Sequence, residues 1–489
     1  MRRSLAVPAL VLTLAASLLG GIARADDRSA PTRPIGAVPS RPTPAEALRT
    51  ASEVLGHGAA PAPTADRSAT LALRDLFAAR PRLTGDSRAR ADRLLARPRA
   101  SQRKCNTHVC VHWSTSGSNG ATNAWANKTL DFMGTVWNKE IGKLGYRAPL
   151  KDGRHGGNGK LDVYLKDLGG QGIYGYCTPE YLGAQPRTAS GYCALDNDFS
   201  RAQFGIRPAD ALHVTAAHEF FHASQFAYDY LEDAWIMEAT ATWMEEQVAD
   251  DVNDNQQYLP YGQLGTPSSP LDFFDRSGVG QYGQWLYFQY LEQVHGRGIV
   301  RKIWNQLPGR TNWSVKVLES AVGDSFDAQY AGFAAANLLP TSFYAEGAGY
   351  QPSYDTSGSL DAAQTVTKSL SLDHLTYSPR RVLPGTGLDD KAWTLQVSMD
   401  ATTDVSQPML VVVWQGTSGE VQRYVLDTDT AGTATQTVQF SKANTQAVYY
   451  AAVDAGDRYD CFQSSDYACA GTSKDDNQPV SLTVSTLHP

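Results

Sequence analysis

The chain has 489 residues, 42% of them hydrophobic and 19% charged, which is apolar enough for two globular domains and too sparsely charged for a disordered polymer. Its net charge is −7, and residues 1–25 hold Arg2, Arg3 and Arg24 with no acid, so the rest of the chain stands at about −10. A protein that wraps nucleic acid or another polyanion is excluded by that balance.

The N-terminus carries Arg2 and Arg3, an apolar run from Leu5 to Leu19, and the small-residue pattern Ala23-Arg24-Ala25. This predicts a secretory signal peptide over 1–25 and an extracellular protein. The run is shorter than the roughly 20 residues that span a bilayer, so no stable membrane anchor is expected. Residues 26–104 contain nine prolines and no Trp, Tyr or Cys, with a net charge of about +7, which leaves about −17 for the body. Two helices are predicted there, one opened by the capping box Thr43-Pro44-Ala45-Glu46 and one over 71–79. A basic leader between a signal peptide and an acidic body reads as a pro-region that docks on that body and is later removed, or as a disordered linker.

The body, 105–340, opens on a strand over 108–113, a helix with Trp125, Leu130, Met133, Val136, Trp137 and Ile141 near one face, and a strand over 161–165. From 208 to 338 the periodicity is helical, with segments near 209–230, 234–249, 280–295, 298–306 and 313–338. Residues 341–489 change to short alternating runs, at 393–397, 409–414, 421–426, 447–453 and 480–484, which predict a β-sandwich. The fold class is therefore α+β, a mixed sheet followed by helices and then a β-sandwich. Six cysteines form three sequence-local pairs, Cys105 with Cys110, Cys177 with Cys193 and Cys461 with Cys469, which are expected as disulfides in an oxidising compartment.

The chemistry concentrates between 218 and 246. Thr215-Ala-Ala-His218-Glu219-Phe-Phe-His222 contains HExxH inside a helical pattern. Positions i and i+4 lie one turn apart on one face, so both imidazoles can reach a single Zn²⁺, and Glu219 can act as base toward a water there. The metzincin extension is excluded, because its Gly and His positions are Gln225 and Tyr228. On the next predicted helix Glu238 sits in an apolar stripe between Trp235, Met237 and Trp243, and a carboxylate so placed needs a partner.

HEFFH, followed by Trp235-Ile-Met-Glu238-Ala-Thr-Ala-Thr-Trp-Met-Glu245, resembles the gluzincin branch of zinc metallopeptidases, which includes the thermolysins and the zinc aminopeptidases. The second segment is similar to the aminopeptidase pattern W-x-x-E-[GA]-x-A. Together with Asp162-Val-Tyr164-Leu and Tyr174-Gly175-Tyr176, the likeness extends to a family of secreted bacterial metallopeptidases and covers roughly 105–310. It implies a zincin-like domain, zinc held by His218, His222 and Glu238, Glu219 as general base, and a protein or peptide as substrate. The gap between His222 and Glu238 is shorter than in thermolysins or aminopeptidases, so the connecting loop differs and no substrate-site residue is carried over.

Thr242 lies one turn and Glu245 two turns beyond Glu238 on its face. Glu245 either orients a ligand imidazole or is a solvent-facing charge beside Glu246. Tyr282 is the candidate donor to a transition-state oxyanion, by likeness to gluzincin sites, or else a core aromatic of the helix holding Trp285 and Phe288. Asp251-Val-Asn253-Asp-Asn255 begins like an EF-hand, but Gln256 and Gly262 replace the required Gly and Glu, leaving only a looser Ca²⁺ site to consider. The expected protein is a monomeric secreted endopeptidase; the competing reading is a non-enzymatic secreted protein that binds a surface or polymer through the β-sandwich.

Overall fold

The computed structural model describes residues 42–56, 69–309, 313–323, 325–401 and 408–489, so the expected signal peptide lies outside the described residues. The chain is α+β, with a mixed sheet, a helical centre and a β-rich C-terminal region.

Three helices come first: α1 (Pro44–Val54), α2 (Ala69–Ala79) and α3 (Gly85–Leu94). The capping box that opens α1 forms, with Thr43 Oγ1 accepting from the Glu46 N–H and Glu46 accepting from the Thr43 N–H. Then follow β1 (Gln102–Cys105), β2 (Val109–Trp113), α4 (Asn123–Trp137), β3 (Leu161–Lys166), β4 (Gly175–Leu182) and β5 (Ala189–Asp196). Their sheet runs β1-β2-β3-β5-β4, with β2, β3 and β5 parallel and the two edges antiparallel.

The period-2 alternation sends Val163, Leu165, Cys193 and Leu195 into one core with α4, and Tyr164, Tyr176, Tyr192 and Ala194 into another with the N-terminal helices. Both faces are covered, which explains why β2 and β5 are buried at every position. The N-terminal helices are thus one layer of this domain. Arg97, just beyond α3, ties that layer down by pairing with Glu180 at 2.6 Å and with Asp152 and the fully buried Asp162.

The helical centre comprises α5 (Arg201–Phe204), α6 (Pro208–Asp229), α7 (Ala234–Ala249), α8 (Gly280–Gly283), α9 (Trp285–His295), α10 (Ile299–Gln306), α11 (Ser314–Val322) and α12 (Phe326–Leu338). The helix expected over 313–338 is two helices, because Gly323 takes φ +80° and turns the chain.

The C-terminal strands are β6 (Thr356–Leu360), β7 (Thr365–Leu372), β8 (Thr376–Pro384), β9 (Thr394–Ala401), β10 (Pro408–Gly416), β11 (Val421–Asp427), β12 (Thr433–Gln439), β13 (Thr445–Asp454), β14 (Tyr459–Asp460), β15 (Thr472–Ser473) and β16 (Gln478–Leu487). Two larger sheets, β11-β10-β13-β8-β6 and β12-β9-β16-β7, share a core of Leu410, Val412, Leu395, Val397, Leu482 and Val484. The first sheet is buried on its other face as well, since Met409, Val411 and Val413 of β10 join the core that holds α12. All three expected disulfides are present, Cys105–Cys110, Cys177–Cys193 and Cys461–Cys469. Among the described residues, no helix is long and apolar enough to cross a membrane.

Candidate metal centre

Helix α6 is buried along nearly its whole length, which its run of Ala, Phe and Leu around the two histidines allows. The short connection 230–233 turns the chain so that α7 packs along it. Glu238, in the first half of α7, thereby faces His218 and His222. The Nε2 atoms of the two imidazoles lie 3.1 Å apart, and Glu238 Oε2 stands 3.2 Å from His218 Nε2 and 3.5 Å from His222 Nε2. All three residues are buried, His218 at 8% exposure and the other two at 1%.

Each ring is turned by a partner on its far nitrogen. Glu245 Oε1 lies 2.7 Å from His218 Nδ1, and Gln225 Oε1 lies 2.7 Å from His222 Nδ1. The Gln225 amide cannot be reversed without loss, because its NH₂ donates to Met237 O at 2.9 Å and to Thr240 Oγ1 at 3.1 Å. With an acceptor on its Nδ1, His222 carries its proton there and presents a bare Nε2 lone pair to the centre. His218 does the same toward Glu245. With both rings neutral, two lone pairs and a carboxylate oxygen converge with no donor among them, and Glu238 Oε1 is buried without a hydrogen-bond partner.

A cation suits this deficit. Four ligands at about 2.0–2.1 Å from tetrahedral zinc stand about 3.3–3.4 Å from one another, close to the three separations found here. His218, His222 and Glu238 fit zinc in both donor type and spacing.

The electrostatics state the same need. Burial raises the Glu238 carboxyl, but the imidazoles of His222 and His218 outweigh it and hold it well below the carboxylate range. Burial opposes a charge on His218, yet hydrogen bonds to Glu238 and Glu245 raise its proton affinity well above that of an ordinary histidine. Burial, opposed by His218, pushes Glu245 up to about 7. Glu219 is raised by burial too, with His222 and His218 opposing. Three carboxyl groups thus surround two imidazoles, a surplus of negative charge that either protons or a divalent ion must offset.

Glu219 follows His218 on α6, and its Oε2 accepts from Thr70 Oγ1 at 2.9 Å. Gly175 at the start of β4 makes room for it: a Cβ there would stand 3.0 Å from Glu219 Cγ. The Cys177–Cys193 disulfide bridges β4 and β5 beneath, with Cys177 Sγ 2.8 Å from the Glu219 carbonyl oxygen.

The remaining expected residues divide. The Tyr282 ring lies beside that of His218, with centroids 5.9 Å apart, and also against Tyr258. Thr242 is not turned to the centre; its Oγ1 donates to the Glu238 carbonyl within the helix. Two histidines outside the motif have partners of their own, His112 pairing with Asp162 and His108 stacking on Trp137.

Gln225 and Thr70 were not singled out in the sequence. Gln225 had a usable signal, three residues beyond His222 on one helix, whereas Thr70 lies 149 residues from its partner and had none.

A second acidic group gathers at the end of α7, where carboxylate oxygens of Glu246, Asp250 and Glu346 come within 4.8 Å of one another. The loop considered for calcium packs against it through amide donors, Asn255 on Glu246 at 2.8 Å and Gln256 on Glu346 at 2.7 Å. Burial and the neighbouring acids Glu346 and Asp250 push Glu246 up to about 8, against the hydrogen bond from Asn255.

No protein-family model and no curated protein matches the chain. Among solved structures, the pre-peptidase C-terminal domain of a Bacillus anthracis collagenase aligns over 28% of this chain and 99% of its own, at 10% identity and a TM-score of 0.16. Pseudomonas aeruginosa AlgX aligns over 59% of this chain and 79% of its own, at 12% identity and a TM-score of 0.15. Likenesses this slight carry no argument about fold or activity.

Proposed function

We propose that this chain is a secreted zinc-dependent endopeptidase with a zincin-like catalytic domain of the gluzincin type. The observation that carries the reading is the triangle of His218 Nε2, His222 Nε2 and Glu238 Oε2, with sides of 3.1–3.5 Å and a carboxylate next to its first corner. His218, His222 and Glu238 would hold the metal. Zinc, when bound there, supplies a Lewis acid that acidifies water and polarises a carbonyl oxygen.

The chain's own groups do the rest. Glu245 and Gln225 hold the two rings with Nε2 inward, so no reorientation is needed on binding. Glu219, the general base, takes a proton from the attacking water and returns it to the departing amine. Burial raises its affinity for that proton above that of an ordinary glutamate, with His222 and His218 opposing. Tyr282, packed on His218, is the candidate donor to the developing oxyanion. The three disulfides support an oxidising, extracellular setting.

The test is metal analysis joined to proteolysis. The purified chain should carry one zinc and cleave casein, with cleavage lost in 1,10-phenanthroline and in Glu219→Gln while that variant keeps its zinc. Zinc retained by the wild type with no cleavage of any protein would sink the enzyme reading and favour a binding protein.

A further inference from the structure

Helix α2 lies in the segment that the sequence reads as a removable leader, yet it reaches the catalytic base. Thr70 Oγ1 donates to Glu219 Oε2 at 2.9 Å and accepts from the Cys177 N–H at 2.9 Å, so the hydroxyl is held from both sides and has a single role to play toward Glu219. Both Thr70 and Glu219 are buried. The same helix sends Leu71 into the core of α4 and α6, and Leu73 and Leu76 into the core on the opposite face of the sheet. Farther along, Arg74 donates to Glu232 O at 2.9 Å, which anchors α2 to the connection between α6 and α7.

We infer that Thr70 is a positioning residue for Glu219 and that residues 44–97 stay with the mature enzyme. This rests on the peptidase reading above. A removable inhibitor should leave a finished surface behind. Departure of this layer would instead uncover Tyr164, Tyr176 and Tyr192, and would strand Asp152 and Asp162 in the interior without Arg97. A hydroxyl that spends its proton on one carboxylate oxygen fixes the plane of that carboxylate and leaves the other oxygen for water. An aliphatic side chain at 70 would leave Glu219 free to rotate and the Cys177 N–H buried without an acceptor.

The experiment uses the full secreted chain. Intact mass of the zinc-bearing, casein-cleaving form should show that it retains Thr70. Thr70→Ala should lower kcat about tenfold with KM and zinc content nearly unchanged, and Thr70→Ser should restore most of the loss. An active form that begins after Thr70, or a Thr70→Ala chain as active as wild type or more so, overturns the inference and leaves the peptidase reading standing. If Thr70→Ala does not fold, the intact mass of the active form decides. A wild-type chain that binds zinc and cleaves nothing removes both readings together.

Discussion

Two buried histidine clusters invite comparison. At the seam between the helical centre and the β-rich region, His374 is fully buried, its Nδ1 on Asp476 and its Nε2 3.1 Å from Asp272. Asp272 is satisfied in turn by the Tyr459 hydroxyl and the Ala468 N–H, both at 2.8 Å. At the α6–α7 centre two rings spend one nitrogen each on an acceptor and aim the other at the same point as Glu238. Both clusters put imidazole against carboxylate in the interior. In the first the nitrogens diverge, each meets its own acid, and a protonated ring closes the balance. In the second they converge, and no single proton can serve two lone pairs and a carboxylate. Direction of the free nitrogens, more than the residue list, separates an internal ion cluster from a group that could hold a metal.

That contrast breaks first at its strongest point. His222→Ala should bring zinc from one per chain to near none, while His374→Ala leaves zinc content unchanged; metal analysis of the two variants decides. His374→Ala should cost about 3 kcal/mol of stability in denaturant melts, because Asp272 is left fully buried without its cation, while the half-buried Asp476 regains water.

The pH dependence of that second effect has a definite sign. Burial disfavours the charged ring, but Asp272 and Asp476 outweigh it and raise His374 to about 10. A pKa raised on folding stabilises fully below the unfolded value near 6.5 and is lost as pH rises through 10. The stability gap between wild type and His374→Ala should therefore narrow between about pH 6.5 and 10.

Gln225→Leu tests the orientation of the converging rings, and should weaken zinc binding about 10- to 100-fold, with about 1–3 kcal/mol lost in melting of the apo chain because the His222 Nδ1–H loses its buried acceptor. The smallest effect belongs to Asp454, the last residue of β13. Burial pushes its carboxyl up to about 8, and its Oδ2 lacks a partner. Its ionisation therefore costs stability as pH rises from about 4 to 8, and Asp454→Asn should gain about 1 kcal/mol at pH 8 in the same melts.

The parts of the centre that were legible are those set by one helix or by two adjacent ones. His218 and His222 follow from i, i+4 spacing, and Glu238 from an acid in an apolar stripe. Glu245 was ambiguous in sequence because a second acid follows it, and only the packing of α7 on α6 shows which of the pair turns inward. Thr70 was beyond reach, since nothing local to Ala69–Ala79 refers to residue 219. Helix α3 escaped notice for a different reason: it is rich in Arg and Asp and buries only Ala91 and Leu94, too little for a hydrophobic period to register. The hairpin of β4 and β5 was marked by its cysteines and by Tyr174-Gly175-Tyr176 and not by a strand pattern, because burial on both faces of β5 erases the alternation that identifies a strand.

The two-sided burial of β10 has a consequence for how the polypeptide comes apart. Its odd-numbered side chains belong with α12 and its even-numbered ones with the opposing sheet. A cut near residue 340 would bare an oily plane on each fragment, so neither half should survive as a soluble piece. Denaturation ought then to proceed through one shared transition, and a protease working on the native molecule should find no hinge at which the last third can be released intact.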